Sequence, residues 1–279
     1  MPLVTVVMPT YNRAHMLPAA VETVREQTLA DWELLIVDDG STDGTPALLG
    51  RWSREDERIR SVRQENRGQS AARNRALDLA RGEYVAYLDS DNALLPECLE
   101  VLTDALRVRP DKSYAMPQGS RVLELWEDGR LVRSVDTTAE EFPPELSLQD
   151  IVHRRIHTDM NGFLHRRELT DAGVRFAEDI RRMEDWEFFL QLAERFPEGF
   201  LYVPRVLYPY TRRYGGDGAV SNTSYAEWAD LFEAIYAKHK NDRLMAGQTW
   251  YPDRVTKWRA MQEQFERGEA PPPHLYRFS

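Results

Sequence analysis

Val4-Thr5-Val6-Val7-Met8-Pro9-Thr10-Tyr11-Asn12-Arg13 is a β-branched apolar run that stops at a proline and turns polar. A short run without polar alternation is the mark of a strand buried on both faces, as in a parallel sheet covered by helices. The chain then repeats the theme. Ala14 to Gln27 reads as a helix, Glu33 to Val37 as a second strand and Pro46 to Ser53 as a helix. Ile59 to Arg63 is a third strand, Ser70 to Ala80 a helix after Gly68, and Tyr84 to Leu88 a fourth strand, with Pro96 opening the next helix. Strands alternating with helices define βαβ units, so the expected class is α/β with a central, mostly parallel sheet flanked by helices.

Beyond Pro110 the rhythm changes. Ser113 to Met116 and Arg121 to Glu127 read as strands and Glu127-Asp128-Gly129-Arg130 as a hairpin turn, so the sheet is expected to become mixed. Thr137 to Glu145 reads as a surface loop. Trp186, Phe189, Leu190 and Ala193 recur near the helical period and predict a helix over Glu184 to Phe196. Two late helices are expected, near Tyr225 to Lys240 and Arg254 to Arg267, before an extended tail at Ala270-Pro271-Pro272-Pro273. The expected organisation is a nucleotide-binding half over 1–110, an acceptor-binding half over 111–222 of the same domain, and a helical appendage over 223–279.

Composition narrows the function. The net charge of -10 argues against nucleic acid as a partner, because phosphate-backbone binding rests on excess Lys and Arg. If the chain handles phosphates, a cation has to help. One cysteine, Cys98, excludes a disulfide framework and a thiolate-rich metal site. No stretch approaches the ~18 apolar residues of a membrane span, and Met1-Pro2-Leu3 leaves no room for a signal peptide. The chain is therefore expected to be cytoplasmic, with a peripheral membrane association left open.

In open α/β sheets ligands bind beyond the carboxyl ends of the strands. Three strands end there in polar groups: Pro9-Thr10-Tyr11-Asn12-Arg13, Asp38-Asp39-Gly40 and Asp89-Ser90-Asp91. Two carboxylates one residue apart can face a hard cation such as Mg2+ or Mn2+, with a diphosphate completing its shell. Taken alone, Asp89 and Asp91 read as well as caps of the helix near Pro96. Other signatures fail. Asp38 to Gly44 lacks the later Glu of a calcium loop, and there is no dinucleotide, Walker or nucleophile-elbow motif.

Four segments in order, joined by a fifth, carry a resemblance. They are Val6 to Arg13, Val37-Asp38-Asp39-Gly40-Ser41-Thr42-Asp43-Gly44-Thr45, Asn66-Arg67-Gly68 through Ala72-Arg73-Asn74, Leu88-Asp89-Ser90-Asp91, and Met183-Glu184-Asp185-Trp186. In these the chain resembles a family 2 glycosyltransferase with the GT-A fold, from residue 3 to about 215. The resemblance implies a nucleotide-sugar donor, UDP- or dTDP-linked, held by Pro9, Thr10, Tyr11, Arg13, Asp39, Gly68, Arg73, Asp89 and Ser90. Tyr11 would stack on the base and Asp39 would accept its imide N–H. Asp91, with Asp89, would hold the divalent cation, Mn2+ or Mg2+. Asn92 departs from the family, where a third acid is frequent.

The resemblance further implies that Asp185 is the base that deprotonates an acceptor hydroxyl for a single inverting displacement, with Glu184 contacting the acceptor or orienting Asp185. Without it, the two acids read as helix N-terminal charges and Arg73 as a solvated one. Arg212-Arg213-Tyr214-Gly215-Gly216-Asp217-Gly218-Ala219-Val220-Ser221 reads equally as a lid, with Arg212 or Arg213 on the diphosphate, or as a plain surface loop. His157 falls where acceptor residues lie in similar enzymes. Trp228, Trp250, Tyr251 and Trp258 could cover an acceptor or seal a homodimer, with helix packing the blander explanation. The acceptor is open among saccharide, lipid-linked and small-molecule hydroxyls. A retaining GT-A transferase and a non-catalytic nucleotide-sugar-binding protein are the alternatives. A nucleotidyltransferase is discounted, because Pro9-Thr10-Tyr11-Asn12 stands where its glycine-rich loop would be.

Overall fold

The structure is a computed structural model that describes residues 1–127, 130–136, 145–155, 159–214, 224–246, 248 and 250–269. The first four strands, β1 (Val4–Thr10), β2 (Trp32–Asp38), β3 (Ile59–Arg63) and β4 (Tyr84–Tyr87), are parallel and lie in the order β3-β2-β1-β4. Helices α1 (Leu17–Arg25), α2 (Thr45–Glu55) and α3 (Gln69–Leu79) connect them. The order reverses direction at β1, which sits between β2 and β4, and such a switch point is where open α/β sheets bind ligands.

The burial pattern explains why β1, β2 and β4 read as largely apolar runs. Val4, Val6 and Met8 join Leu34, Ile36, Tyr84, Ala86 and Leu88 in one core, against Leu17, Val21 and Val24 of α1 and Leu99 and Leu102 of α4 (Cys98–Val108). Val7, Leu35, Val37, Val85 and Tyr87 face the other way, onto Ala72 and Ala76 of α3 and Phe188, Phe189 and Leu192 of α7 (Glu184–Arg195). Successive strand residues point to opposite faces, so both faces need apolar side chains. Neither face can move without opening a core, which makes the strand ends rigid mounts for polar groups.

The expected mixing of the sheet occurs. β4 pairs antiparallel with β7 (Leu164–Arg166), β7 antiparallel with β5 (Tyr114–Glu127), and β5 antiparallel with β6 (Arg130–Asp136) and parallel with β8 (Phe200–Tyr214). The two strands expected at Ser113 to Met116 and Arg121 to Glu127 are one strand. Its middle, Pro117-Gln118-Gly119, is carried through by register shifts in the pairing with β8, which accommodate a proline and a glycine that would otherwise end it.

Helices α5 (Leu148–Val152) and α6 (Glu168–Asp171) are short. Two longer ones, α8 (Tyr225–His239) and α9 (Trp250–Glu266), build a third core with α7, in which Trp186 and Leu190 meet Phe232, Ile235, Met245 and Tyr251. Helix α9 begins four residues ahead of the expected start, with Pro252 tolerated in its first turn. Helix α7 is thus clamped between the sheet and the late helices. The aromatics Trp228, Trp250, Tyr251 and Trp258 take part in this packing.

Candidate active site

The carboxyl ends of β1 and β2 are knotted together by side chains. Asn12, in the left-handed region at φ 51, accepts from the Thr42 N–H at 2.8 Å and donates its own N–H to Ser41 Oγ at 2.9 Å. Arg13 N–H donates to Thr45 Oγ1 at 3.1 Å, and Asp38 is buried, closing its own turn by accepting from the Ser41 N–H at 2.9 Å. Pro9 and Thr10 are buried at the end of β1, whereas Tyr11 stands exposed, its ring open to a ligand. The hydroxyl of Thr10 is buried with no hydrogen-bond partner among the described residues.

Asp39 is buried and collects donors from the next crossover. Gln64 Nε2 and the Arg67 N–H donate to Oδ1 at 2.8 and 2.9 Å, and the Gly68 N–H donates to Oδ2 at 2.8 Å. A carboxylate has roughly four lone-pair positions, and three are taken. Beside this turn lies a cleft of about 550 Å³ lined by Gly40, Arg63, Gln64, Glu65 and Asn66.

Arg73 is the centre of the site. It projects from α3 and is 2% exposed. Nη2 donates to Asp89 Oδ1 at 2.7 Å and Nη1 to Glu184 Oε1 at 2.8 Å, while the guanidinium lies 5.2 Å from the Phe176 ring. Burial opposes its charge, but the two carboxylates outweigh burial and hold the guanidinium's pKa above the ordinary arginine value. Gln69, one turn earlier on α3, adds a hydrogen bond to Glu184 at 2.5 Å. The next residue, Asn74, pins the segment ahead of α7 by a two-way bond with the Phe176 backbone at 2.9 Å in each direction. Arg73 is therefore not a solvated helix charge, and Glu184 is turned toward Arg73 and Gln69.

Asp185 is treated differently. The chain enters α7 through Met183 at φ 59, a left-handed residue with a side chain, which stores strain immediately before the two acids. Asp185 is half-buried and accepts from the Trp186 N–H at 2.6 Å. Burial, and next the negative charge of Glu184, push its carboxyl up to about 7; Arg154 opposes and Asp159 adds to the rise. A base poised near neutrality is what proton abstraction from a hydroxyl requires.

At the turn after β4, Ser90 is buried and Asp91 is exposed, accepting from Asn92 Nδ2 at 3.2 Å. Helix α4 has no side-chain cap, so Asp89 and Asp91 are not its caps. No group of three or more His, Cys, Asp or Glu side chains among the described residues could hold an ion by itself. With Asp89 claimed on one oxygen by Arg73, the turn fits a cation that completes its shell with ligand oxygens and does not fit a protein cage.

Arg212 and Arg213 have strand backbone, pairing with Leu123 and Glu124, so the first part of the expected loop belongs to β8. The rest of that loop, 215–221, lies outside the described residues, as do His157 and the tail at 270–273. Three contributors escape sequence reasoning: Gln64, Gln69 and Asn161. Asn161 accepts from the Asp89 N–H at 2.8 Å, and the only hint of it in the sequence is Asn161-Gly162 ahead of a short strand.

Residues 5–169 match the glycosyl transferase family 2 profile, and the chain belongs to that family. The glycosyltransferase GlyG of Streptococcus pneumoniae is 29% identical over 260 residues, covering 88% of this chain and 82% of GlyG. In three other relatives the matching region spans 60%, 23% and 40% of their length. Among solved structures, S. aureus TarS 1–349 in complex with UDP-GlcNAc superposes with a TM-score of 0.65 at 20% identity, over 95% of this chain and 73% of that one. The mannosyltransferase PcManGT of Pyrobaculum calidifontis, in complex with GDP-Man and Mn2+, gives 0.58 at 19% identity, over 99% and 78%. These likenesses define the fold as GT-A. No helix among the described residues is long and apolar enough to cross a membrane.

Proposed function

We propose that the protein is an inverting glycosyltransferase that moves a sugar from a UDP- or dTDP-sugar to an acceptor hydroxyl with the help of a divalent cation. The observation that carries this reading is the buried Arg73, whose guanidinium bonds both Asp89 of the acidic turn and Glu184 of the helix start, as adjoining donor and base sites would require. Asp39 has one acceptor position left, on Oδ2, suited to one N–H such as the imide of uracil or thymine. Tyr11 offers an exposed ring for the base. The UDP-GlcNAc complex of TarS supports such a donor, and the Mn2+ of PcManGT supports a cation.

Asp185, ionised, accepts the proton of the acceptor hydroxyl as that oxygen bonds to the anomeric carbon and the bond to the diphosphate oxygen breaks. A cation held by Asp91, with Asp89 behind it, would neutralise the charge that builds on the leaving diphosphate. Residues 1–110 would then serve the donor and 111–222 the acceptor, a hydroxyl of a saccharide, a lipid-linked sugar or a small molecule. The test is turnover of a panel of UDP-, dTDP- and GDP-sugars with Mn2+ and with EDTA, followed by NMR of the product anomer. Turnover of a uracil or thymine donor, abolished by EDTA and giving the inverted anomer, is expected. Turnover only of the guanine donor, or a retained anomer, would overturn the assignment of Asp39 or of Asp185 respectively.

A further inference from the structure

The role of Asp89 depends on where its carboxylate points, and Arg73 alone does not determine that. Arg73 grips Oδ1 from α3, which leaves the carboxylate able to pivot about that bond. On the opposite side stands Asn161, 1% exposed. Its Oδ1 accepts from the Asp89 N–H at 2.8 Å and its Nδ2 lies 3.4 Å from Asp89 Oδ2. The same Nδ2 donates to Asp159 Oδ1 at 3.1 Å, and the Asn161 N–H donates to that oxygen at 2.8 Å. With two carboxylates facing Nδ2 and an N–H facing Oδ1, the amide has one permitted orientation.

Asp159 is held in turn from the sheet. Its Oδ2 accepts from Arg121 Nη2 on β5 and from the Tyr208 hydroxyl on β8 at 3.1 Å. The Arg121 guanidinium lies 4.3 Å from the Tyr210 ring. Two glycines make room for the Tyr208 ring. A Cβ on Gly119 would lie 2.5 Å from Tyr208 Cζ, and one on Gly162, at φ 71, would lie 3.1 Å from Tyr208 Cδ1. The backbone of β8 also reaches the loop after the acidic turn, with the Leu95 N–H donating to the Leu207 carbonyl at 2.8 Å. A buried ion pair bonded on both sides is costly to desolvate, and one retained beneath a site is explained if it fixes geometry.

We propose that Asn161 is the positioning residue of Asp89, and that the Arg121–Asp159–Tyr208 cluster beneath it ties strand β8 to the acidic turn. The proposal rests on the donor-site reading of Asp89. It makes β8, the strand that carries Arg212 and Arg213 near its end, a mechanical neighbour of the donor site.

The test is calorimetric titration of UDP with Mn2+ into the full chain and into Asn161→Ala, Asp159→Asn and Tyr208→Phe, each with its melting temperature. Asn161→Ala is expected to weaken UDP on the order of tenfold, as loss of hydrogen bonds to a charged group does. Tyr208→Phe, which keeps the ring, is expected to weaken it about threefold, more than any fall in its melting temperature accounts for, with Asp159→Asn between them. Because Tyr208→Phe removes a single oxygen, it decides the matter if Asn161→Ala fails to fold. UDP bound by the variants as tightly as by the unaltered chain would overturn the proposal, as would weakening that only tracks a falling melting temperature. If the unaltered chain does not bind UDP with Mn2+, the donor-site reading fails, and the proposal with it.

Discussion

The turn at Asp89-Ser90-Asp91 and the helix start at Glu184-Asp185 lie far apart in the chain, yet they divide their acids in the same way. In each, one carboxylate is consumed by Arg73 and its neighbour is not: Asp89 and Glu184 are ion-paired at 2.7 and 2.8 Å, whereas Asp91 is exposed and Asp185 half-buried. The pairing differs in its consequence. At the turn, Asp91 is exposed, where a cation can reach it. At the helix, Asp185 sits in poorer solvation next to a second negative charge, which raises its affinity for a proton. On the proposed reading, one guanidinium would support a cation-holding site and a proton-accepting site without making them equivalent.

Removing Arg73 should have the largest effect, because both halves lose the same partner. Arg73→Met leaves Glu184 and Asp89 facing each other uncompensated, and breaking a buried pair in this way costs about 3–5 kcal/mol. Denaturant unfolding should report a loss of that size, together with loss of UDP binding. Survival of both would mean the two regions are not coupled through Arg73.

A smaller and more specific effect is the pH dependence of transfer. The base must be ionised, so the rate should fall about tenfold per pH unit below about 7 and level off above it, as a carboxyl raised to about 7 dictates. A rate flat from pH 5 to 8 would remove Asp185 from that role.

The two regions also differ in how far they were legible. Strands β1, β2 and β4 are buried on both faces, and their largely apolar runs, ended by polar turns, show both the strands and the ligand edge, whereas β3 is only partly buried. β5 carries a proline and a glycine in its middle, and β7 has only three residues, too few for any period to appear. Asp39, Asp89 and Asp91 are conspicuous as acids at strand ends, whereas Asp185 is singled out by the family resemblance alone. What each acid does was not legible, because that is decided by partners distant in sequence: Glu184 finds Arg73 and Gln69 across the fold, and Asp89 finds Asn161. Asn74 belongs to the Ala72-Arg73-Asn74 segment, yet its hold on Phe176 exists only once the fold is formed.

The division of the acids predicts opposite behaviour for two adjacent residues. The folded state raises the pKa of Asp185 above its ordinary value, so its ionised form costs stability. That cost is absent below the unfolded pKa near 4, grows as the pH rises and is complete above about 7. Asp185→Asn removes the cost, while Glu184→Gln takes a charge from Arg73. The decisive measurement is the melting temperature and donor turnover of both variants at pH 8. The account predicts that Asp185→Asn melts at or above the unaltered chain with transfer reduced on the order of 10²–10⁴-fold, and that Glu184→Gln melts below it. Undiminished transfer in Asp185→Asn, or a lower melting temperature for Asp185→Asn with Glu184→Gln unaffected, would contradict it.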